Sequence, residues 1–231
     1  MVRTDHVSGG PVTQPMLLAP KLPPAIEGID LRCCSCDDPE WLEAAQGAAL
    51  CLADPPWFYS QAIGTSAQDH YGGLPVPTIV EHLRAIGAPC LVVWCTWPKL
   101  GEWVEHHGPL GTLRTGGAWS KSDGRSGHYG PGHWWAGCSE PVLVYGRAET
   151  DRSKPLRNSW LEPPGLHSRK PVDWMREWLR RWTRPGDLVV DPYAGLGSVA
   201  EACMLEGRRY LGAEIDPERH AAALSLLAQV R

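Results

Sequence analysis

Short apolar runs alternate along the chain with longer stretches in which apolar residues recur every three or four positions. The short runs predict seven strands, at Leu31–Cys36, Ala49–Ala53, Cys90–Cys95, Leu113–Trp119, Pro141–Tyr145, Leu188–Val190 and Arg209–Ala213. The longer stretches predict six helices, at residues 39–47, 77–86, 98–107, 171–183, 198–206 and 217–230. This alternation is typical of an α/β fold, in which helices cover both faces of a mostly parallel sheet. Such sheets bind ligands at the carboxyl ends of their strands, so functional residues are expected directly after the strands.

Two predicted helices carry sequence signals for their first turn. Ser198 and Glu201 have the spacing of a capping box, and Gly207 follows as the stop of that helix. Asp216 before Pro217 predicts an N-cap followed by proline at the first helical position.

Composition narrows the class of protein. The chain has 231 residues, of which 43% are hydrophobic, enough for one α/β domain with its own core. Prolines crowd residues 1–25, which are therefore predicted to be a flexible lead-in to a single domain over residues 26–231. No apolar run reaches the roughly 18 residues of a membrane span, and no signal-peptide pattern opens the chain. We therefore expect a cytoplasmic protein whose eight cysteines are reduced thiols.

The net charge of −4 argues against a protein that only coats nucleic acid, because such proteins are usually basic. It is compatible with an enzyme that contacts DNA through a local basic patch. The twelve tryptophans offer flat faces that suit either a core or the stacking of bases.

The segment Asp54-Pro55-Pro56-Trp57 follows an apolar run directly. Two prolines force a stiff turn and remove two N–H donors, so a carboxylate and a row of carbonyls remain as acceptors. This pattern suits a planar group that bears an amine, with the two amine hydrogens on Asp54 and the Pro55 carbonyl and the ring stacked on Trp57. An ordinary rigid turn is the alternative interpretation.

A second segment, Asp187–Ser198, predicts a strand, a glycine turn and a helix. Gly195 and Gly197 would let the backbone approach a ligand closely. Glu214 and Asp216 follow about 20 residues later, where a carboxylate that binds ribose hydroxyls belongs. A generic strand–turn–helix with a solvated acid is the alternative.

A third segment, His167–Pro171, precedes the tryptophan-rich helix. Lys170 could pair with a carboxylate and Arg169 with a phosphate, although a solvated basic helix start is the simpler interpretation. Cys33 and Cys36 have metal spacing, but no second pair of this kind exists, so no metal site is predicted.

Taken in this order, the three segments resemble the permuted N6-adenine and N4-cytosine methyltransferases, and most closely the MT-A70-like group with its Asp-Pro-Pro-Trp motif. In that class the catalytic motif precedes the cofactor motif. Further likeness lies in LVVWCTW at Leu91–Trp97, in Trp119-Ser120-Lys121, in GHWWAGCSEPVLVYG at Gly132–Gly146, and in the HS-x-KP element at His167–Pro171. The segment Asp191–Ser198 resembles the family's cofactor motif, with Tyr193 and Ser198 where phenylalanine and threonine are commoner.

The resemblance implies a Rossmann-like methyltransferase fold with a seven-stranded sheet and circularly permuted motif order. It implies S-adenosyl-L-methionine as cofactor, lying over Asp191, Tyr193, Gly195, Gly197 and Ser198. Glu214, with Asp216 beside it, would bind the ribose, Lys170 the methionine carboxylate, and Asp37 would stand at the start of the cleft. Asp54 would contact both the cofactor and the target amine. The reaction implied is methylation of the N6 amine of adenine in DNA.

Several alternatives stay open: N4-cytosine methylation, RNA as substrate, or a catalytically inactive MT-A70-like subunit that only binds nucleic acid or a partner. The residues predicted to contact nucleic acid are Trp57, Lys121, Arg125, His133 and Arg169. The stretch between Ser120 and Glu140 has no room for a separate target-recognition domain, so a short or relaxed target is expected. Single strands, a specificity-conferring protein partner or a homodimer would fit that expectation.

Overall fold

A computed structural model describes residues 26–59, 73–122, 137–146, 156–163 and 169–230. Its eight strands are β1 (Ile29–Arg32), β2 (Leu50–Ala53), β3 (Cys90–Trp94), β4 (Leu113–Ser120), β5 (Ser139–Gly146), β6 (Ser159–Leu161), β7 (Leu188–Asp191) and β8 (Arg209–Ala213). Its helices are α1 (Pro39–Ala45), α2 (Val76–Ile86), α3 (Trp97–His106), α4 (Val172–Trp182), α5 (Ser198–Glu206) and α6 (Pro217–Leu227), with a 3-10 turn at Gly108–Leu110.

The described strands form one mixed sheet in the order β1-β8-β7-β2-β3-β5-β4-β6. The five strands from β1 to β3 run parallel, and β5 pairs antiparallel with both β3 and β4. The central pair joins β2 to β7, with Leu50 opposite Val189 and Cys51 opposite Val190. The carboxyl ends of these two strands therefore lie side by side, where ligands bind in open α/β sheets.

The α/β class and the mostly parallel sheet are confirmed, and each of the six predicted helices is present within three residues at either end. The predicted number of seven strands is wrong, because β6 adds an eighth strand beside β4. The first predicted strand, Leu31–Cys36, is misplaced: β1 ends at Arg32, and the residues that follow it turn toward α1.

The two helix starts have different outcomes. Asp216 caps α6 as predicted, since its Oδ1 accepts the Glu218 and Arg219 N–H groups at 2.8 and 3.3 Å. The capping box at Ser198 is wrong. Gly197, at φ +77°, is the N-cap of α5 and no side chain caps it. Glu201 pairs instead with Arg169 at 2.5 Å, so its carboxylate is directed away from the helix start.

Large aromatic residues fill the core on both faces of the sheet. Trp41, Trp103 and Tyr145 belong to one apolar cluster, and Trp94 and Trp174 belong to the other, each with less than 2% of its surface exposed. Apolar strands that are buried on both faces explain why β2 and β3 read as continuous hydrophobic runs rather than alternating ones. Within the described ranges, no helix has the length and hydropathy to span a membrane.

We predict that Gly146 is a strict requirement of this sheet. It lies at the end of β5 with φ +76°, and an added Cβ would overlap the Pro89 carbonyl oxygen. Gly146→Ala should therefore cost the left-handed penalty of about 1–2 kcal/mol and a steric term besides, for a total of about 3 kcal/mol or more. The measurement is chemical denaturation of the variant and the wild type.

Gly47→Ala is the matched control, because Gly47 has nearly the same φ, +77°, with open space around its Cα. It should lose only the left-handed penalty of about 1–2 kcal/mol. Equal losses in the two variants would contradict the steric role assigned to Gly146.

Candidate active site

Three carboxylates predicted from sequence meet at the carboxyl edge of the sheet. Asp54 follows β2, Asp191 ends β7, and Glu214 follows β8. Asp54 and Glu214 line one open cavity of about 390 Å³. That volume lies within the range of small-molecule binding sites, which is roughly 300–1,000 Å³. The structure therefore brings the predicted catalytic segment and the predicted ribose-binding acid into a single cleft.

The turn after β2 is held by backbone hydrogen bonds to Leu74. The Pro56 carbonyl accepts the Leu74 N–H at 2.6 Å, and the Phe58 N–H donates to the Leu74 carbonyl at 3.1 Å. No backbone N–H of a described residue donates to the Pro55 carbonyl, and Pro55 lines the cleft beside Asp54. The turn therefore presents acceptors to the cleft, as its prolines suggested.

Trp57 has a different environment from the one its sequence position suggested. Only 7% of its surface is exposed, and its ring meets Trp103 edge to face at a centroid distance of 5.5 Å. Trp57 still lines the cleft, but its ring is mainly a core element. The predicted stacking of a base on Trp57 has little ring surface to use.

Asp54 belongs to a chain of alternating charges. Lys170 Nζ lies 2.7 Å from Asp54 Oδ2 and 3.2 Å from Glu140 Oε2, and Lys121 Nζ lies 2.5 Å from Glu140 Oε1. The Lys170 ammonium also lies 5.5 Å from the ring centre of Trp94 and 5.6 Å from that of Trp119. Lys170 is 12% exposed, so its charge is stabilised by these carboxylates and rings rather than by bulk water.

The pKa values of this network reflect burial and pairing. Burial disfavours the charged form of Lys170, but the charges of Asp54 and Glu140 outweigh it and raise its pKa. Burial likewise opposes ionisation of Glu140, yet Lys170 and Lys121 bring its pKa below the ordinary value. The pKa of the half-buried Asp54 is raised overall, because burial and the charge of Glu140 raise it more than Lys170 and, more weakly, Lys121 lower it.

The glycine turn after β7 is built as the sequence predicted. Gly195 and Gly197 both have positive φ, +53° and +77°, which glycine adopts without the strain of a side chain. Asp191 is 3% exposed and accepts the Tyr193 N–H at 3.1 Å and the Tyr210 hydroxyl at 3.3 Å. Burial raises the pKa of Asp191 to about 8, because these two hydrogen bonds only partly stabilise its charge. Asp191 thus stabilises the glycine turn through the hydrogen bond that it accepts from the Tyr193 N–H.

Glu214 ties the glycine turn to β8. Its Oε2 accepts the Gly195 N–H at 2.8 Å and its Oε1 accepts the Asp216 N–H at 2.9 Å. Burial raises the pKa of Glu214, and the two N–H groups oppose that shift. Each carboxylate oxygen has two acceptor positions, so these bonds leave capacity for ligand hydroxyls. Asp216, predicted beside it, uses its carboxylate to cap α6.

The wall opposite the glycine turn comes from the segment after β1. His82 Nδ1 lies 3.2 Å from both Cys36 Sγ and the Tyr193 hydroxyl. The contact with Tyr193 joins α2 to the glycine turn. Cys36 and His82 line the cleft. Asp37 follows that wall but is exposed, and a hydrogen bond from Ser35 lowers its pKa. Ser198, also predicted to contact the cofactor, is buried at the first position of α5 and lines a smaller pocket with Lys170 and Arg169.

The residues predicted to contact nucleic acid are only partly described. Lys121 is engaged with Glu140, and Arg169 pairs with Glu201 at 2.5 Å. Arg125 and His133 lie outside the described residues, as do His167 and Ser168 of the HS-x-KP element. Lys121, Lys170 and Arg169 are thus paired with carboxylates of the same chain, and Arg219 also lines the cleft.

Glu140 is the site residue that sequence reasoning missed. It joins Lys121 to Lys170 and so reaches Asp54 through one intermediate side chain. The available signal was an acidic residue directly before the apolar run of a predicted strand, Pro141–Tyr145. Tyr59 and Thr96 were also missed; they line the cleft, and their oxygens lie 2.5 Å apart.

Comparison with known proteins finds similarity to DNA methylases over part of the chain. Residues 118–225 match the family model of N6 and N4 methyltransferases, described as DNA methylase. YubD of Escherichia coli (strain K12), whose name calls it a methylase, is 38% identical over 94 residues. That match takes in 39% of this chain and spans 41% of the length of YubD.

Two solved structures share the fold. The complex of M1.HpyAVI with SAM superposes with a TM-score of 0.63 at 17% identity, covering 86% of this chain and 99% of that one. The PvuII DNA methyltransferase, named as cytosine-N4-specific, gives 0.62 at 17% identity, covering 85% and 87%. The chain therefore has the Rossmann-like fold of the methyltransferases, and its C-terminal half matches the DNA methylase family.

Proposed function

We propose that this protein transfers a methyl group from S-adenosyl-L-methionine to an exocyclic amine of a base in DNA, with N6 of adenine as the target. The observation that carries the proposal is that Asp54 and Pro55 line the same cleft as Gly195 and Glu214. A donor site and an acceptor site for one small group are thus adjacent. The match of residues 118–225 to the DNA methylases supports the same reaction.

The cleft fits the cofactor on its own features. The glycine turn allows close backbone approach, and Glu214 keeps acceptor positions for ribose hydroxyls. Ile215, next to Glu214, is 66% exposed and lines the cleft, where it offers an apolar surface for a ring. S-adenosyl-L-methionine would supply an electrophilic methyl group at this position.

Asp54 would act on the target amine. The lone pair of an exocyclic amine is delocalised into its ring, so the amine is a poor nucleophile. Acceptors at Asp54 and the Pro55 carbonyl would fix both amine hydrogens and direct the nitrogen lone pair toward the methyl carbon. Nitrogen would gain the methyl as the methyl–sulfur bond of the sulfonium breaks, and the bonding electrons would stay on sulfur in the departing S-adenosyl-L-homocysteine. Nitrogen would then lose one proton along its hydrogen bond toward Asp54 or to water. The base would leave the stack of a duplex to reach this depth.

Lys170 takes a different role from the one implied by resemblance. Its ammonium is engaged by Asp54 and Glu140, so it is placed to keep Asp54 ionised and oriented rather than to hold a cofactor carboxylate. Arg169 lines the smaller pocket beside Ser198 and the glycine turn. One of its guanidinium nitrogens pairs with Glu201, but its buried Nε has no hydrogen-bond partner in the part of the chain that the structure describes, so this N–H would be available to a carboxylate there.

The exocyclic amines of adenine and cytosine would donate their hydrogens to Asp54 in the same way. The PvuII enzyme carries the name of a cytosine-N4 methyltransferase, so N4-cytosine is the second candidate on this scaffold. The Asp-Pro-Pro-Trp segment and its position before the glycine turn support the MT-A70-like, permuted assignment and with it adenine. Methylation of RNA would take place in the same cleft. An enzyme that takes its specificity from a partner protein would also use this cleft for the reaction.

The first test is the product. Wild-type protein incubated with DNA and labelled S-adenosyl-L-methionine should yield N6-methyladenine on nucleoside analysis by mass spectrometry.

Asp54→Ala should reduce turnover by about 10²–10³-fold or more, because the amine loses its charged acceptor. Calorimetry should show that the variant still binds the cofactor. The matched control, Glu43→Ala, changes an exposed carboxylate outside the cleft lining and should keep most of the activity. N4-methylcytosine as sole product would move the proposal to the second candidate, and an active Asp54→Ala enzyme would remove Asp54 from the mechanism.

The second test concerns the cofactor site. Glu214→Ala should weaken S-adenosyl-L-methionine binding by roughly 1–3 kcal/mol, the scale for hydrogen bonds to a charged group. Calorimetry measures the affinity, and thermal unfolding checks that the loss of the Gly195 contact has not disrupted the turn. Glu218→Ala removes an exposed glutamate four residues away and should bind normally. Two variants with the affinity of the wild type would show that the ribose site lies elsewhere.

The third test uses pH. Asp54 must be ionised to accept two amine hydrogens, so activity should fall on the acidic side as Asp54 gains a proton. Lys170 and Lys121 both lower the pKa of Asp54, and Lys170 has the greater effect. Lys170→Met should therefore move the acidic limb of kcat/KM to higher pH, and Lys121→Met should move it less in the same direction. An acidic limb that stays in place in both variants would mean that a group other than Asp54 governs it.

A further inference from the structure

Trp97 is an exposed indole beside the cleft. It opens α3, and 52% of its surface is exposed, while the other tryptophans that the structure describes are buried or half-buried. Nothing in the fold requires an aromatic ring at this helix position. The helix start makes no side-chain cap hydrogen bond, and a small polar residue would serve it equally.

The exposed ring is nevertheless held in place. Its Nε1–H donates to Ser139 Oγ at 3.0 Å, a bond that joins the start of α3 to the start of β5. A surface tryptophan without such a bond would sample several rotamers. An anchored flat ring loses less conformational freedom when it binds a ligand.

Both residues of this bond are next to the cleft. Thr96, which precedes Trp97, lines the cleft and contacts the Tyr59 hydroxyl at 2.5 Å. Glu140, which follows Ser139, also lines it and belongs to the charge network of Asp54. The indole is therefore anchored between two residues whose chain neighbours line the cleft that holds Asp54.

We propose that Trp97 is a stacking platform for an unstacked base of the DNA strand as it enters the cleft. The inference rests on the proposed function, and it assigns to Trp97 the contact that the buried Trp57 has little surface to make. A base face is available to an indole only where the base is single-stranded or flipped out, so this surface favours unpaired nucleotides.

Charge supports stacking as the main attraction at this edge. Among the described residues, Lys99 of α3 pairs with Glu102 at 2.7 Å, and Lys121 pairs with Glu140, the neighbour of Ser139. With a net charge of −4, the chain has little overall attraction for phosphates. Base–aromatic stacking works without a net positive charge and without regard to base identity, since every base has a π face.

The test compares Trp97→Ala and Trp97→Phe with wild type. Binding of a fluorescein-labelled single-stranded 16-mer DNA of mixed sequence is followed by anisotropy in the presence of S-adenosyl-L-methionine. Trp97→Ala should raise Kd by roughly 5- to 100-fold, the range for loss of one stacked base. Trp97→Phe keeps a ring and should recover a part of that loss. Cofactor affinity and melting temperature should stay at wild-type values in both.

Val104→Ala is the matched control, since Val104 is 54% exposed on the same helix and does not line the cleft. It should bind DNA as wild type does. Unchanged Kd in Trp97→Ala would overturn the proposal. So would a shift from dimer to monomer in light scattering without loss of DNA binding, because Trp97 would then contact a second copy of the chain. A wild type that binds DNA through Trp97 but methylates nothing would refute the proposed function and leave the stacking role standing.

Discussion

The parallel pairing of β2 with β7 is the constraint on which the site depends. Residues about 140 positions apart in sequence become neighbours because Leu50 and Cys51 lie opposite Val189 and Val190. From this pair the sheet continues to β8 and β1 on one side and to β3 and β5 on the other. The pair is thus the point at which the strand order reverses, and a crevice opens outside the carboxyl ends of the strands there. The acceptor turn at Asp54 and the glycine turn at Gly195 both line the cleft there.

This placement creates an electrostatic difficulty that the fold resolves locally. Asp54, Asp191 and Glu214 lie near one another at a partly buried edge, and like charges there oppose ionisation. Lys170 compensates Asp54 directly, the two turn N–H groups compensate Glu214, and Asp191 responds with a raised pKa. A buried ion pair contributes little net stability, since the desolvation of both charges offsets their attraction. The network from Lys121 to Asp54 is therefore better explained by the orientation and ionisation of Asp54 than by stability.

The sequence predicted correctly those features that depend on residues close to one another along the chain. Hydrophobic periodicity located all six helices, and the Pro-Pro and Gly-x-Gly segments identified both turns of the site. It failed where long-range contacts decide the outcome. Strand β6 has only three residues, Ser159–Leu161, and forms because β4 offers it an edge. The spacing of Ser198 and Glu201 indicated a cap, yet Arg169 pairs with that glutamate from 32 residues away. No spacing rule could have shown that Lys170 is shared between Asp54 and Glu140.

The same distinction applies to the aromatic residues. From the sequence alone, Trp57 was the better candidate for stacking on a base, because it follows the Pro-Pro turn after Asp54. Packing against Trp103 of α3 makes it a core residue, and the one described tryptophan left exposed stands at the start of that same helix. Helix α3 thus packs against the indole of Trp57 and leaves the indole of Trp97 exposed. With Lys99 and Lys121 paired to glutamates of this chain, the exposed indole of Trp97 is an apolar surface that this edge of the cleft offers to a nucleic acid. An enzyme organised in this way would select its substrate by the accessibility of the base more than by the charge of the backbone.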